Sequence, residues 1–138
     1  MKIKNKLMII LCLVIFNSIG GIIWWNVPSS LTNIKPYDVS RIEIFDGNTG
    51  TAITITKISD IEHIINNLNS VTLKKEKVSL GRMGYSFETT IYRANGKVYR
   101  KFIINSTDTI RNDPFFYKDS LSSIDYAYIR DLIKEQVK

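Results

Sequence analysis

Apolar residues run almost unbroken near the start of the chain and alternate with polar ones further on. The first run, LMIILCLVIFNSIGGIIWW, extends from Leu7 to Trp25 and is 19 residues long. As a helix it spans ~28 Å, close to the ~30 Å of a bilayer core. Eleven of its residues are Leu, Ile, Val or Phe. At roughly −0.3 to −0.6 kcal/mol each near the helix centre, they supply about −3 to −7 kcal/mol of insertion free energy. Asn17 opposes this without reversing the sign. Lys2, Lys4 and Lys6 precede the run, and no acidic residue appears before Asp38. That asymmetry predicts a cytoplasmic N-terminus and an exported remainder.

Three fates compete for this segment. A lipid anchor needs a small residue directly before its cysteine, but Leu11 precedes Cys12, and Cys12 lies mid-run. Ser18 and Gly20 make a small-x-small cleavage site behind a fair apolar region. Cleavage there would leave GIIWW as an apolar new N-terminus. Trp24 and Trp25 instead stand where an aromatic belt meets the outer headgroups. The expectation is an uncleaved single-pass anchor over 7–26, with 1–6 as its basic cytoplasmic flank and secretion after cleavage as the alternative.

Residues 27–38, VPSSLTNIKPYD, have two prolines and no periodicity, so they read as a linker. Beyond it, 39–138 reads as one extracytoplasmic domain. VSRIEIF (39–45) and TAITIT (51–56) alternate with period two, with DGNTG between them as a turn. SDIEHIINNLNS (59–70) carries Ile61, Ile64, Ile65 and Leu68 on one helical stripe, and Ser59 with Glu62 forms a capping-box pattern. VTLKKEKV (71–78) reads as a charged edge strand. YSFETTIYR (85–93) and KVYRKFIIN (97–105) flank Asn95-Gly96, a strong hairpin signal. Phe115 to Tyr117 can add a short strand after Pro114. A final helix is expected over 124–137, capped by Ser123. Its apolar arc holds Tyr128, Ile129, Leu132 and Ile133, opposite Arg130, Asp131, Lys134 and Glu135. This order predicts an α+β fold: an antiparallel sheet of about five strands with two helices on one face, preceded by one transmembrane helix.

Composition narrows the function. Some 110 residues follow the first run, enough to bury a core without disulfides, and the single cysteine lies inside the run. The Ile, Lys and Asn bias suits an AT-rich genome and points to a low-GC Gram-positive bacterium. The whole chain carries a formal +6, but the exported part holds 16 basic and 13 acidic residues. A +3 balance so evenly mixed argues against nucleic acid as a partner. It leaves room for anionic lipid or wall polymer.

Candidate chemistry is sparse. His63 is the only histidine and points off the apolar stripe, which reads as a solvated surface residue. Without a second His or an exported Cys, Cys–His catalysis and zinc sites built from those residues are excluded. Asp46-Gly47-Asn48-Thr49-Gly50 mimics the start of a calcium loop, but Lys57 stands where the bidentate Glu belongs, so it reads as a turn. Asp108, Asp113 and Asp119 read as loop carboxylates rather than a cation site. Gly81, Arg82 and Gly84 read as a connection rather than a phosphate cradle. No cofactor is expected. YRANGKVYRKF interleaves aromatic and basic residues, and Tyr92, Arg93, Lys97, Tyr99 and Lys101 form the candidate binding face. Trp24 and Trp25 are the candidate membrane-interface pair.

The run VSRIEIFDGNTGTAITIT, then DIEHIINNL, GYSFETTIYRANGKVYRKFII and SIDYAYIRDLI, resembles small exported or membrane-anchored domains of unassigned function in Gram-positive bacteria. The likeness covers most of 39–133 and implies an envelope location and a non-enzymatic role. The leading expectation is a tethered binding module for an envelope protein, a peptide or an anionic wall polymer. A self-protection protein against a secreted peptide or toxin is the alternative. An envelope hydrolase using Glu88 or Asp113 is the third.

Overall fold

The computed structural model describes residues 2–82, 84, 86–119 and 121–136. Among these residues it shows an α+β protein with a curled, wholly antiparallel sheet and three α-helices. Helix α1 (Lys2–Asn26) is 25 residues long. It is long and apolar enough to cross a membrane, as an anchor or a signal sequence would be, and the rest of the protein buries none of its apolar core.

The strands are β1 (Ser29–Ser30), β2 (Val39–Asp46), β3 (Thr51–Ile55), β4 (Thr72–Val78), β5 (Phe87–Arg93), β6 (Val98–Ile104), β7 (Thr109–Asn112) and β8 (Phe115–Asp119). They form one sheet in the order β1-β4-β8-β7-β6-β5-β2-β3. Helix α2 (Ile58–Ser70) leaves β3 at one edge and delivers the chain to β4 near the other, so it crosses the sheet. Its stripe of Ile61, Ile64, Ile65 and Leu68 is buried. The inward residues of the sheet meet it: Ile42 and Ile44 of β2, Ile53 and Ile55 of β3, Phe87 and Ile91 of β5, Phe102 and Ile104 of β6. These alternate along each strand as period-two patterning requires. Helix α3 (Tyr126–Gln136) adds Ile129 and Ile133 to the same core.

Strand and helix counts depart from the sequence expectation. The sheet has eight strands rather than about five. Residues 109–119 form a hairpin, β7–β8, turning at Asp113-Pro114. Proline, which breaks a central strand, here occupies the turn. A 3-10 turn, Pro36–Asp38, lies in the stretch expected to be linker.

That stretch is part of the fold, not a linker. Leu31 and Ile34 are core residues. The Leu31 N–H donates to the Val71 carbonyl at 3.2 Å. The Asn33 N–H donates to the Tyr99 hydroxyl at 3.0 Å, and the Arg100 guanidinium donates to the carbonyls of Leu31 and Ser30. Asn69, near the end of α2, accepts from the Thr32 hydroxyl at 2.7 Å and donates to the Ile34 carbonyl at 2.8 Å. Residues 31–34 thus form a strap between the sheet and α2.

Both helix starts are also corrected. Helix α2 begins at Ile58, with Lys57 at its cap and no side-chain cap hydrogen bond, so the Ser59–Glu62 box is not formed. Ser59 lies inside the helix and its hydroxyl donates to Asp60. Helix α3 begins at Tyr126, because Ile124 is buried and its N–H is held by the Thr107 carbonyl at 2.7 Å. Asp125 takes the capping role instead of Ser123: its carboxylate accepts from the Tyr128 N–H at 3.1 Å. Tyr85 and Val137, expected as the ends of a strand and of this helix, lie outside the described residues.

Candidate functional site

A concavity of about 580 Å³ lies between α3 and the β2–β3 turn. Its turn side is rigid for a local reason. Asp46, buried at the end of β2, accepts from the Asn48 backbone N–H at 2.8 Å, the Asn48 amide at 3.1 Å and the Thr49 hydroxyl at 3.0 Å. Gly50, at φ +74°, closes the turn with a 2.8 Å bond to the Asp46 carbonyl. Left-handed backbone suits glycine there. The Gly47 N–H bonds the Ser86 carbonyl at 2.7 Å, tying the turn to the chain entering β5. The loop expected as a turn is therefore a turn, with every Asp46 carboxylate oxygen engaged inside it.

The floor is aromatic and aliphatic. Phe87 pairs across from Asp46 in the β2–β5 ladder. Tyr126, the first residue of α3, stacks on Phe87 with ring centroids 4.5 Å apart. One stripe of α3 (Tyr126, Arg130, Ile133 and Lys134) forms the opposite wall, at the i, i+4, i+7, i+8 spacing of a single helical face. Arg130 bonds Asp131 at 3.0 Å. Among the described residues no carboxylate lies within 4 Å of Lys134. The site is an apolar trough with a cationic rim.

Helix α2 fixes α3 in this position. His63 Nε2 lies 2.8 Å from Asp125 Oδ2, and the imidazole stacks on Tyr128 at 3.9 Å between centroids. Asn67 accepts from the Asp125 N–H at 2.9 Å and donates to the Ser123 carbonyl at 3.0 Å. The Tyr128 hydroxyl donates to Asp60 at 2.9 Å. The His63 hydrogen bond, and then the Tyr128 N–H, hold the Asp125 carboxyl below its ordinary range. Burial, then Asp60, pushes the Tyr128 phenol up. His63 stays 43% exposed on its side chain, but it is a helix-to-helix clamp rather than a merely solvated residue. Among the described residues no serine or threonine hydroxyl is bonded to it.

No family model, no curated protein and no solved structure matches the chain.

The structure does not gather the five expected binding-face residues onto one open surface. Tyr92 and Lys101 do lie on the face opposite the helices, but both are engaged. The Tyr92 hydroxyl donates to Glu43 at 2.8 Å, and the Arg41 guanidinium sits 3.6 Å over its ring. Lys101 pairs with Glu88 at 2.7 Å. Tyr99 turns toward the core and holds Asn33, with Arg93 stacked 4.7 Å over it. Lys97 is exposed in the turn. Bonds from Arg41, then Tyr92, depress the Glu43 pKa.

The acidic candidates likewise serve local structure. Asp108 is held low by the Ser106 and Thr109 hydroxyls. Asp113 is held low by Arg111, then Ser79. Buried Asp119 accepts from the Leu121 and Ser122 N–H groups and the Ser122 hydroxyl. Among the described residues no group of three or more His, Cys, Asp or Glu side chains is placed to hold a metal ion. Gly81 and Gly84, at φ +73° and +91°, make a connection around Arg82, whose N–H bonds the Ser79 carbonyl.

Trp24 and Trp25, the expected interface pair, both meet Phe115 of β8, at 5.7 and 5.6 Å between ring centroids. The trough residues escape a reading of the sequence. The charged arc of the last helix contains Arg130 and Lys134, but the expected apolar arc does not include Tyr126. The signal available is an aromatic residue one and two turns before two cations on the same face.

Proposed function

We propose that this protein is a membrane-tethered extracytoplasmic binding module that takes a peptide in the trough beside α3. The observation that carries the reading is the pairing of an apolar floor, Phe87, Tyr126 and Ile133, with the cations Arg130 and Lys134. A volume of about 580 Å³ falls within the ~300–1,000 Å³ of ordinary ligand pockets. The chemistry favours a segment with one apolar side chain for the floor and one carboxylate for the rim.

Tethering is supported by the length and composition of α1, and orientation by the lysines at its start. The resemblance to small exported Gram-positive domains agrees with this placement. A binding role suits side chains whose carboxylates are already committed to turns and strand pairs.

The test uses a photocrosslinking residue at Lys134 in the full chain, expressed in intact cells, with the same residue at Thr54 as a control. Adducts from position 134 that disappear with Arg130→Glu, and are absent from position 54, support the reading. Equal adducts from both positions, or none from either, contradict it.

A further inference from the structure

We infer that the end of the sheet made by β4, β8 and the turn after β4 rests on the outer surface of the bilayer that α1 crosses, where its lysines meet anionic lipid headgroups. This rests on reading α1 as a retained anchor. Tryptophan at the end of a spanning helix belongs at the headgroup boundary. Whatever touches Trp24 and Trp25 shares that depth. Phe115 touches both rings, and Lys75 Nζ lies 4.1 Å over the Trp24 ring while donating to the Trp24 carbonyl at 3.1 Å.

Chain direction extends the contact. The chain leaves α1 at Asn26 and forms β1, which pairs antiparallel with β4 at Ser29–Leu73 and Ser30–Thr72. Strand β4 therefore runs back toward the membrane as β1 runs away from it. The later residues of β4 end beside Phe115 and Phe116, through the pairs Val78–Phe115 and Lys77–Phe116. Val78 is 49% exposed and Leu80, just beyond it, 70% exposed. Val78 stands across from Phe115, which touches the tryptophan pair, and exposed apolar side chains at that end of the strand suit the acyl boundary.

Charge names the lipid. Lys74 stands directly across from Lys118, and like charges directly opposite are unfavourable. Asp108, 3.4 Å from Lys118, offsets only one of them. Lys77 Nζ lies 5.3 Å over the Phe116 ring and 3.9 Å from the Glu76 carboxylate, so Lys74 is the lysine left facing a like charge. Strand β1 pairs only with Thr72 and Leu73, and among the described residues no strand pairs with the lysine-bearing remainder of this edge, against which the end of α1 lies at Lys75. Anionic headgroups supply the missing counter-charge, at about fivefold per lysine.

The test places the full chain, with Cys12→Ser and Leu80→Cys, in nanodiscs and labels the introduced thiol with an environment-sensitive dye. Discs contain zwitterionic lipid alone or with one third anionic lipid, plus a shallow spin-labelled lipid. Native Trp24 and Trp25 report on the anchor, and Thr54→Cys is the distant control. The expected result is quenching at position 80 but not 54, stronger in anionic discs, and weakened by Lys74→Glu with Lys77→Glu. Quenched tryptophans with position 80 no more quenched than 54 overturn the inference and leave the anchor standing. Equal quenching at position 80 in both lipids overturns the anionic assignment. A chain that does not enter the discs overturns the anchor reading and this inference with it.

Discussion

Replacing Asn69 with alanine removes the clamp that holds the strap to α2. The Asn69 carbonyl oxygen takes the Thr32 hydroxyl at 2.7 Å, and its amide serves the Ile34 carbonyl at 2.8 Å. A third contact, from the Ile34 N–H, is longer at 3.4 Å. Thr32 is 1% exposed and Ile34 6%, so water does not readily replace the lost partner. A buried polar group left without its partner costs about 1–3 kcal/mol. Asn69 itself is half-buried, which allows some relief, so two orphaned groups come to about 2–3 kcal/mol. That is a ~30- to 160-fold increase in opening of the strap. Hydrogen exchange on the full chain in micelles reads it directly, because the Leu31 and Asn33 amides are bonded to Val71 and Tyr99. Both should exchange faster by that factor in Asn69→Ala, while ladder amides such as Ile91 change less. Tyr99→Phe should accelerate Asn33 selectively. Unchanged protection of Leu31 and Asn33 in Asn69→Ala would refute the clamp and return this stretch to the status of a linker.

Three further outcomes follow from the same structure. Ile65→Ala empties a fully buried position on α2 and should cost about 2–5 kcal/mol in urea unfolding; a loss under about 1 kcal/mol would mean the core is not packed as described. Gly96→Ala, at φ +79°, should cost about 1 kcal/mol or more by forcing a Cβ into left-handed backbone; a neutral thermal midpoint would contradict the turn. Asp125 is depressed by His63 and by the α3 cap, so its contribution is present above the unfolded Asp value of about 3.9 and lost as pH falls through its lower folded value. The stability gap between wild type and Asp125→Asn should therefore narrow on acidification below pH ~4, and a gap that widens there would contradict the assignment.

Local order was readable where local chemistry alone decides it. Four apolar residues on one stripe specify α2, alternation specifies β2, β3, β5 and β6, and Asn95-Gly96 specifies the turn between the last two. Strand β1 has two residues and β7 four, too few for a period to register. The strap looked like a linker because its partners Asn69, Tyr99 and Arg100 lie 35 to 70 positions away. Two serine-led capping patterns failed for tertiary reasons: Ile124 is drawn extended into the core, and the chain already turns into α2 at Lys57.

The candidate site followed the same division. The aromatic and basic composition of residues 92–101 was legible, but the carboxylates that engage Tyr92 and Lys101 come from neighbouring strands, Glu43 of β2 and Glu88 of β5. Strand pairing has to be known before such a face can be called occupied. His63 likewise finds Asp125 62 residues later. The trough depends on α3 meeting the β2–β3 turn, two segments far apart in the chain.

The most direct measurement is fractionation of cells carrying a C-terminally tagged chain, with protease added after the wall is removed. Full-length protein is expected in the carbonate-washed membrane, with its tag digested from outside. A shortened chain in the medium, or a membrane-bound tag that external protease cannot reach, would contradict it.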